Sequence, residues 1–184
     1  MATSYTDEDL SLVVDAALLM NATVGIADGE WTRKEAGASG KAFERIIATS
    51  RSHLIRDALM YFHERENAWI QLSRSPKALQ DAMLNIVEAA RAKNGTPAKA
   101  RKFYKPVADA VGTMLKEHPM PDRMRVVGFV WYVGLATASA DGPFFGGKVS
   151  DTETAAIEDC SSDLAIAAGT TLRDCLAFVE AEQG

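Results

Sequence analysis

The sequence has little of what metalloenzymes and redox proteins most often use. It contains two cysteines and three histidines, and neither residue type falls into the spacing of a zinc site or a redox pair. Cys160 and Cys175 are interpreted as reduced, buried helix residues, which suits the cytoplasm. No serine or cysteine lies in a nucleophile motif, and no glycine-rich phosphate loop follows a strand. We therefore predict that the protein is not an enzyme.

Long apolar runs and period-two alternation are also missing. The longest apolar run, Val126 to Ala140, has 15 residues, which is fewer than the roughly 20 needed to span a bilayer. The acidic N-terminus, residues 1–9, is unlike a basic secretion signal. A net charge of −5 gives no general attraction to nucleic acid or anionic membranes. We expect a cytoplasmic protein that neither spans a membrane nor binds nucleic acid.

Helical periodicity, in contrast, runs through most of the chain. Ser75-Pro76 and Thr96-Pro97 each indicate a helix N-cap followed by a proline in the first turn. A single helix is expected from Ser52 to about Leu72, and Pro106 is expected to kink or restart its helix. These signals predict an all-α protein with one globular domain, residues 1–184, of about seven or eight helices.

A short acidic motif occurs twice, each time between a long apolar segment and an amphipathic one. The first copy is Ala27-Asp28-Gly29-Glu30-Trp31-Thr32-Arg33-Lys34-Glu35. The second copy is Ala140-Asp141-Gly142, then the five-residue insertion Pro143–Gly147, then Lys148-Val149-Ser150-Asp151-Thr152-Glu153. We interpret the chain as two related halves, roughly residues 7–75 and 121–184, joined by helices within residues 76–118.

Two interpretations of the motif remain open. In the first, Asp-Gly makes a turn, Thr32 or Ser150 caps the next helix, and Glu35 or Glu153 completes a capping box. In the second, four carboxylates bind a hard divalent cation such as calcium, magnesium or manganese; these are Asp28, Glu35, Asp141 and Glu153. If the loops meet, two carboxylates about 4 Å apart repel by roughly 4 kcal/mol at an effective dielectric near 20, so a cation or protons are needed. A capping glutamate can also be recruited when metal arrives.

Two other kinds of site fit the sequence less well. The first motif is similar to the second half of an EF-hand loop, but Val24 and Ile26 stand where that loop needs its first oxygen ligands. His53 and Asp57 lie one helical turn apart and could form an acid–base pair, although such pairs more often support a helix surface. After a cation-binding protein and an interaction module without metal, the third functional class is a small metal-dependent hydrolase that uses the same carboxylates with His53 or His63.

The duplicated pattern resembles the TerB-like family, the tellurite resistance protein TerB and its relatives. The resemblance is carried by Ala27-Asp28-Gly29…Trp31-Thr32…Glu35 and Ala140-Asp141-Gly142…Val149-Ser150…Glu153. It implies an internally duplicated helical bundle in the cytoplasm, linked to tellurite resistance and stress responses. It also implies a divalent cation held by Asp28, Glu35, Asp141 and Glu153. The implied partners are other Ter proteins and membrane-associated complexes. The Pro143–Gly147 insertion departs from the compact loop of that family.

Charge is distributed unevenly along the chain. Residues 89–108 are basic and contain no acid, whereas residues 149–184 are acidic with Arg173 as their one basic residue. Opposed patches suit docking to a protein partner or head-to-tail association, and a solvated helix face is the commoner reason for a charge run. Phe144-Phe145 in the insertion could contact a partner, but we favour a position folded over the core.

Overall fold

The computed structural model describes residues 5–29, 31–65, 68–140 and 149–183. These residues form helices and the turns between them, with no strand among them. The helices are α1 Asp7–Gly25, α2 Arg33–Thr49, α3 His53–Arg65, α4 Ala68–Arg74, α5 Lys77–Ala92, α6 Pro97–Leu115, α7 Met120–Ala138, α8 Asp151–Ala167 and α9 Leu172–Gln183. The prediction of an all-α domain is confirmed.

Helix α1 is the central element of the fold. It contacts each of the helices α2 to α8, and from Leu12 to Gly25 every residue except Leu18 is buried. A helix that is apolar all round gains most by being enclosed on all sides. The apolar sequence of α1 therefore determines its position, and the other helices pack around it.

Helices α1 and α7 run parallel, side by side. At one end, His118, which precedes α7, has Nε2 at 3.8 Å from Asp9 Oδ1 near the start of α1. At the other end, Asn21 Nδ2 donates to Thr137 Oγ1 at 2.8 Å. The chain segments that follow α1 and α7 therefore leave the bundle at the same end. We call this the loop end, where α1 and α7 finish and α2 and α8 begin.

The predicted helix starts are largely confirmed. Thr32, Thr96 and Ser150 each cap a helix with a side-chain oxygen that accepts from a backbone amide, and Thr6 caps α1 in the same way. The exception is Ser75, because α5 begins after Pro76, which makes no side-chain cap. The Ser75 hydroxyl instead donates to Asp15 Oδ2 at 2.5 Å. A long-range contact to α1 has replaced the local cap.

Two expected boundaries differ from the structure. The single helix expected over residues 52–72 is two helices, α3 and α4, and the break between them falls at residues outside the described ranges. Pro106 does not restart its helix, since α6 continues from Pro97 to Leu115. Pro106 and Lys102, whose carbonyl loses its partner there, are both exposed. Water can hydrate that carbonyl, so the helix tolerates the proline.

The two oppositely charged segments meet within the chain. Arg101 on α6 donates to Asp163 on α8 with Nε to Oδ2 and Nη2 to Oδ1, both at 2.9 Å. Its Nη1 also lies 3.6 Å from Asp159 Oδ1. Bidentate pairing of this kind fixes the register of two helices. Part of the charge complementarity that suggested an external partner therefore joins α6 to α8 within the chain.

Within the described ranges, no helix combines the length and the apolar character that crossing a bilayer requires.

Candidate functional site

The first acidic loop is a tight turn at the loop end. Gly29 adopts a left-handed conformation with φ of 107°, which glycine reaches without steric strain. Ala27 is buried in a small cluster with Ala100 of α6 and Ala156 of α8. Asp28 is exposed. The loop therefore lies against the first turns of α8, which the second motif opens.

Glu35 completes the capping box of α2. The Thr32 amide donates to Glu35 Oε2 at 2.6 Å, and the Glu35 amide donates to Thr32 Oγ1 at 3.2 Å. The Glu35 side chain is buried, with 3% of the residue exposed. Asn21 Nδ2 also donates to the Glu35 carbonyl at 2.6 Å. Because Asn21 donates to Thr137 as well, this one amide ties the start of α2 to the end of α7.

Glu153 forms the equivalent box at the start of α8. Its Oε2 accepts from the Ser150 amide at 2.9 Å and from Ser150 Oγ at 2.6 Å, and its own amide donates to Ser150 Oγ at 3.2 Å. The residue is 6% exposed. No lysine, arginine or histidine of the described part of the chain pairs with this carboxylate. The capping interpretation thus describes the local geometry of both motifs.

Three of the four predicted cation ligands lie within the described residues. Glu35 and Glu153 lie in capping boxes, Asp28 is exposed, and Asp141 lies outside the described residues together with the Pro143–Gly147 insertion and its Phe144-Phe145 pair. Considering the described ranges alone, no three acidic, histidine or cysteine side chains are grouped so that they could hold a metal ion. His53 and His63 are exposed on α3. The described side chains therefore supply part of a coordination sphere at most.

A buried carboxylate that the sequence interpretation missed lies on α1. Asp15 is fully buried, and it accepts from Ser75 Oγ at 2.5 Å and from Gln71 Nε2 at 3.2 Å. Burial raises its pKa from the ordinary 3.8 to about 6, while the bonds from Ser75 and Gln71 oppose that rise. The signal was present in the sequence, because Asp15 interrupts the apolar run Leu12–Ala17.

The cysteines are free and buried, as predicted. Burial raises the pKa of both thiols above the ordinary value. The thiolate is the reactive form, so Cys160 and Cys175 act as small apolar side chains in their helices.

Comparison of the chain with protein families, with curated proteins and with solved structures gives no match. The TerB-like resemblance is therefore carried by the two acidic motifs themselves.

Proposed function

We propose that this is a TerB-like protein of the cytoplasm that binds a divalent cation at the loop end and transmits that state to a protein partner. The ligands are the acidic residues of the two motifs, Asp28, Glu35, Asp141 and Glu153. The parallel course of α1 and α7 supports this proposal, because it brings the described parts of both motifs, residues 27–29 and 31–35 with 140 and 149–153, to one end of the bundle. The packing of Ala27 in one buried cluster with Ala100 and Ala156 supports it further, since Ala156 lies one turn beyond Glu153.

The single observation that carries the proposal is the burial of Glu153 without a cationic partner. A buried ionised carboxylate is strongly disfavoured unless it is paired, protonated or bound to metal. The cap bonds at Oε2 satisfy only part of that carboxylate, and Oε1 has no hydrogen bond from the described residues. A divalent cation supplies the missing charge, and carboxylate oxygen is its preferred ligand.

Neutralisation of the acidic side chains removes their mutual repulsion, so the two helix-loop-helix units can close on one another. The bonds from Asn21 to Glu35 and Thr137 connect α1, α2 and α7 directly beneath the motifs. Any movement of one unit is thereby passed to the other. A partner such as another Ter protein or a membrane-associated complex would recognise the closed arrangement.

A second candidate is a helical protein–protein interaction module that binds no metal. The specific observation in its favour is that both capping boxes are complete with protein atoms alone. In that case Glu35 and Glu153 only stabilise helix starts, at about 1 kcal/mol for each cap. The charged residues of α6 and α8 that take no part in the Arg101 pairing would then form the surface that binds the protein partner.

Calcium, magnesium and manganese titrations, each followed by calorimetry and by thermal unfolding, distinguish the two candidates. We expect one of the three to release or absorb heat and to stabilise the fold by about 3 kcal/mol at a hundredfold excess over its dissociation constant. For a protein of this size, that raises the melting temperature by about 6–12 °C.

The variants Asp28→Asn, Glu35→Gln and Glu153→Gln should weaken this response. The matched control is Asp174→Asn, because Asp174 pairs with Thr171 at the exposed start of α9 but belongs to neither motif. Absence of heat with all three cations, together with unchanged melting temperatures, would leave the interaction module as the explanation.

A further inference from the structure

A groove of about 510 Å³ lies away from the loop end, between α2, α3, α7 and α9. Its residues come from the C-terminal part of α2, the beginning of α3 and the N-terminal two thirds of α7. Most of its wall is aromatic or aliphatic: Ile46, Ile55, Phe129, Trp131, Tyr132, Leu176 and Val179. Its volume is within the range of small-molecule sites in proteins. It shares no residue with the acidic motifs.

Three arginines line this groove, and two of them form no ion pair within the described part of the chain. Arg125 is engaged, since Nε and Nη2 donate to the two carboxylate oxygens of Glu182 at 2.9 and 2.5 Å. Arg45 and Arg51 are exposed, and neither forms an ion pair with any residue that the structure describes. The Arg45 guanidinium lies 6.0 Å from the centroid of the Tyr132 ring, at the edge of the apolar wall.

The acids at this groove do not cancel those charges. Glu182 is paired with Arg125 and also interacts electrostatically with Arg51, and Glu180 is the other acidic residue in the lining. Three arginines against two glutamates leave the groove with one net positive charge. Guanidinium groups present a planar fork of donors that matches a carboxylate. An apolar wall beside exposed guanidiniums, with one net positive charge in the lining, is complementary to an organic anion.

One wall of the groove is held in place by specific contacts. Helix α9 is fastened to α7 by the Arg125–Glu182 pair and by the Arg125 guanidinium, which lies 5.4 Å from the centroid of the Phe178 ring. At Gly128 the helices approach so closely that an added Cβ would lie 2.8 Å from Val179 Cγ2. Fixed walls lower the entropy lost when a ligand is bound.

We propose that this groove binds an amphiphilic organic anion, a carboxylate with an unbranched apolar tail. The carboxylate is bound by Arg45 and Arg51, and the tail lies along Phe129, Tyr132 and Leu176. The site is separate from the cation site at the loop end, so either can exist without the other.

The test is calorimetric titration with decanoate, decanol and decylammonium below the concentrations at which they form micelles. Decanoate should bind most tightly, and decylammonium should bind at least tenfold more weakly than decanoate. Octanoate should bind about fifteenfold more weakly than decanoate, because it lacks two methylenes and each buried methylene contributes about fourfold. Decanoate should also change the fluorescence of Trp131, an effect that Trp131→Phe removes. Equal affinity for the three head groups, or no binding of decanoate, would overturn the proposal.

Two variants and a control locate the site. Arg45→Gln and Arg51→Gln should each weaken decanoate binding about tenfold, because each removes a charged hydrogen-bond donor, while decanol binding stays the same. The control Arg56→Gln removes the same charge from an exposed position of α3 that is not in the lining. If Arg56→Gln weakens binding as much as the other two, the effect is one of overall charge and the groove is not the site. None of these measurements involves a divalent cation.

Discussion

Replacing Gly112 by alanine is expected to destabilise the fold by about 3 kcal/mol, as severe overpacking does. Gly112 lies on α6 where that helix touches α8. An added Cβ would lie 2.6 Å from the carbonyl carbon of Ala167 and 2.9 Å from the amide nitrogen of Ala168. These are backbone atoms, so α8 itself would have to move. Chemical denaturation should show the loss directly, and the melting temperature should fall by about 6–12 °C.

Gly40→Ala is the matched control for that substitution. Gly40 lies on α2, and an added Cβ would meet no atom within 4 Å. The same chemical change should therefore stabilise the protein by about 0.5–1 kcal/mol, the ordinary result in a helix interior. Opposite signs for the two variants are the expected outcome. A stabilising effect at Gly112 would mean that α6 and α8 are further apart than described.

The second large effect is a dependence of stability on pH that arises from Asp15. Its pKa is about 6 in the folded protein against the ordinary 3.8. Well below pH 3.8 the carboxyl is protonated in both states, and its contribution to stability is fully present. As the pH rises from 3.8 to about 6, the unfolded chain loses this proton while the folded protein keeps it, so stability falls, and the fall levels off once the folded carboxyl also ionises. The difference of about two pKa units corresponds to about 3 kcal/mol.

Asp15→Asn tests this dependence, because the amide keeps the size of the side chain and never ionises. The free energy of unfolding of the unmodified protein minus that of the variant should fall by about 3 kcal/mol between pH 3 and pH 8. Taking the difference removes the contribution of the other carboxylates. A difference that is constant over this range would contradict the account, because it would show that the pKa of Asp15 is the same in the folded protein and the unfolded chain.

Ser75→Ala should make the stability of the protein depend more strongly on pH, whereas Asp15→Asn should remove the dependence that arises from Asp15. The Ser75 hydroxyl donates to the ionised carboxylate and lowers the pKa of Asp15. Without that bond the pKa should rise further, so the fall in stability with pH becomes larger and extends to higher pH. Urea denaturation at several pH values measures the size of the fall in stability and the pH range over which it occurs, both for Ser75→Ala and for Asp15→Asn.

The sequence was most informative where structure depends on neighbouring residues. Thr32 with Glu35 and Ser150 with Glu153 were predicted as capping boxes, and both form, because a cap involves only one turn of chain. The turn at Gly29 was predicted for the same reason, since its left-handed φ follows from local chain geometry.

The differences arose where distant residues compete with local ones. Ser75 has the local signature of a cap, but burial of Asp15, 60 residues earlier, provides a stronger hydrogen-bond acceptor. Pro106 is tolerated because its face of α6 meets solvent, and exposure depends on the packing of the whole domain. The spacing of apolar residues predicts neither the hydrogen bond between Ser75 and Asp15 nor the solvent exposure of Pro106.

The two candidate sites also differ in whether the sequence alone could reveal them. The acidic motifs could be recognised because they repeat, and their position at one end follows from the parallel packing of α1 and α7. The groove near α9 could not be recognised, since Arg45 on α2, Arg51 between α2 and α3, and Trp131 on α7 form no motif. Their proximity is a property of the fold.

Paramagnetic broadening by manganese is the most direct test of a cation shared by the two motifs. Backbone amide signals of the isotope-labelled protein would be recorded while manganese is added in small amounts. We expect signals from residues 27–35 and 149–153 to broaden together at the lowest additions, and magnesium to reverse the effect. Broadening of one motif without the other, or only of exposed acids such as Asp81 and Asp174, would contradict a shared site.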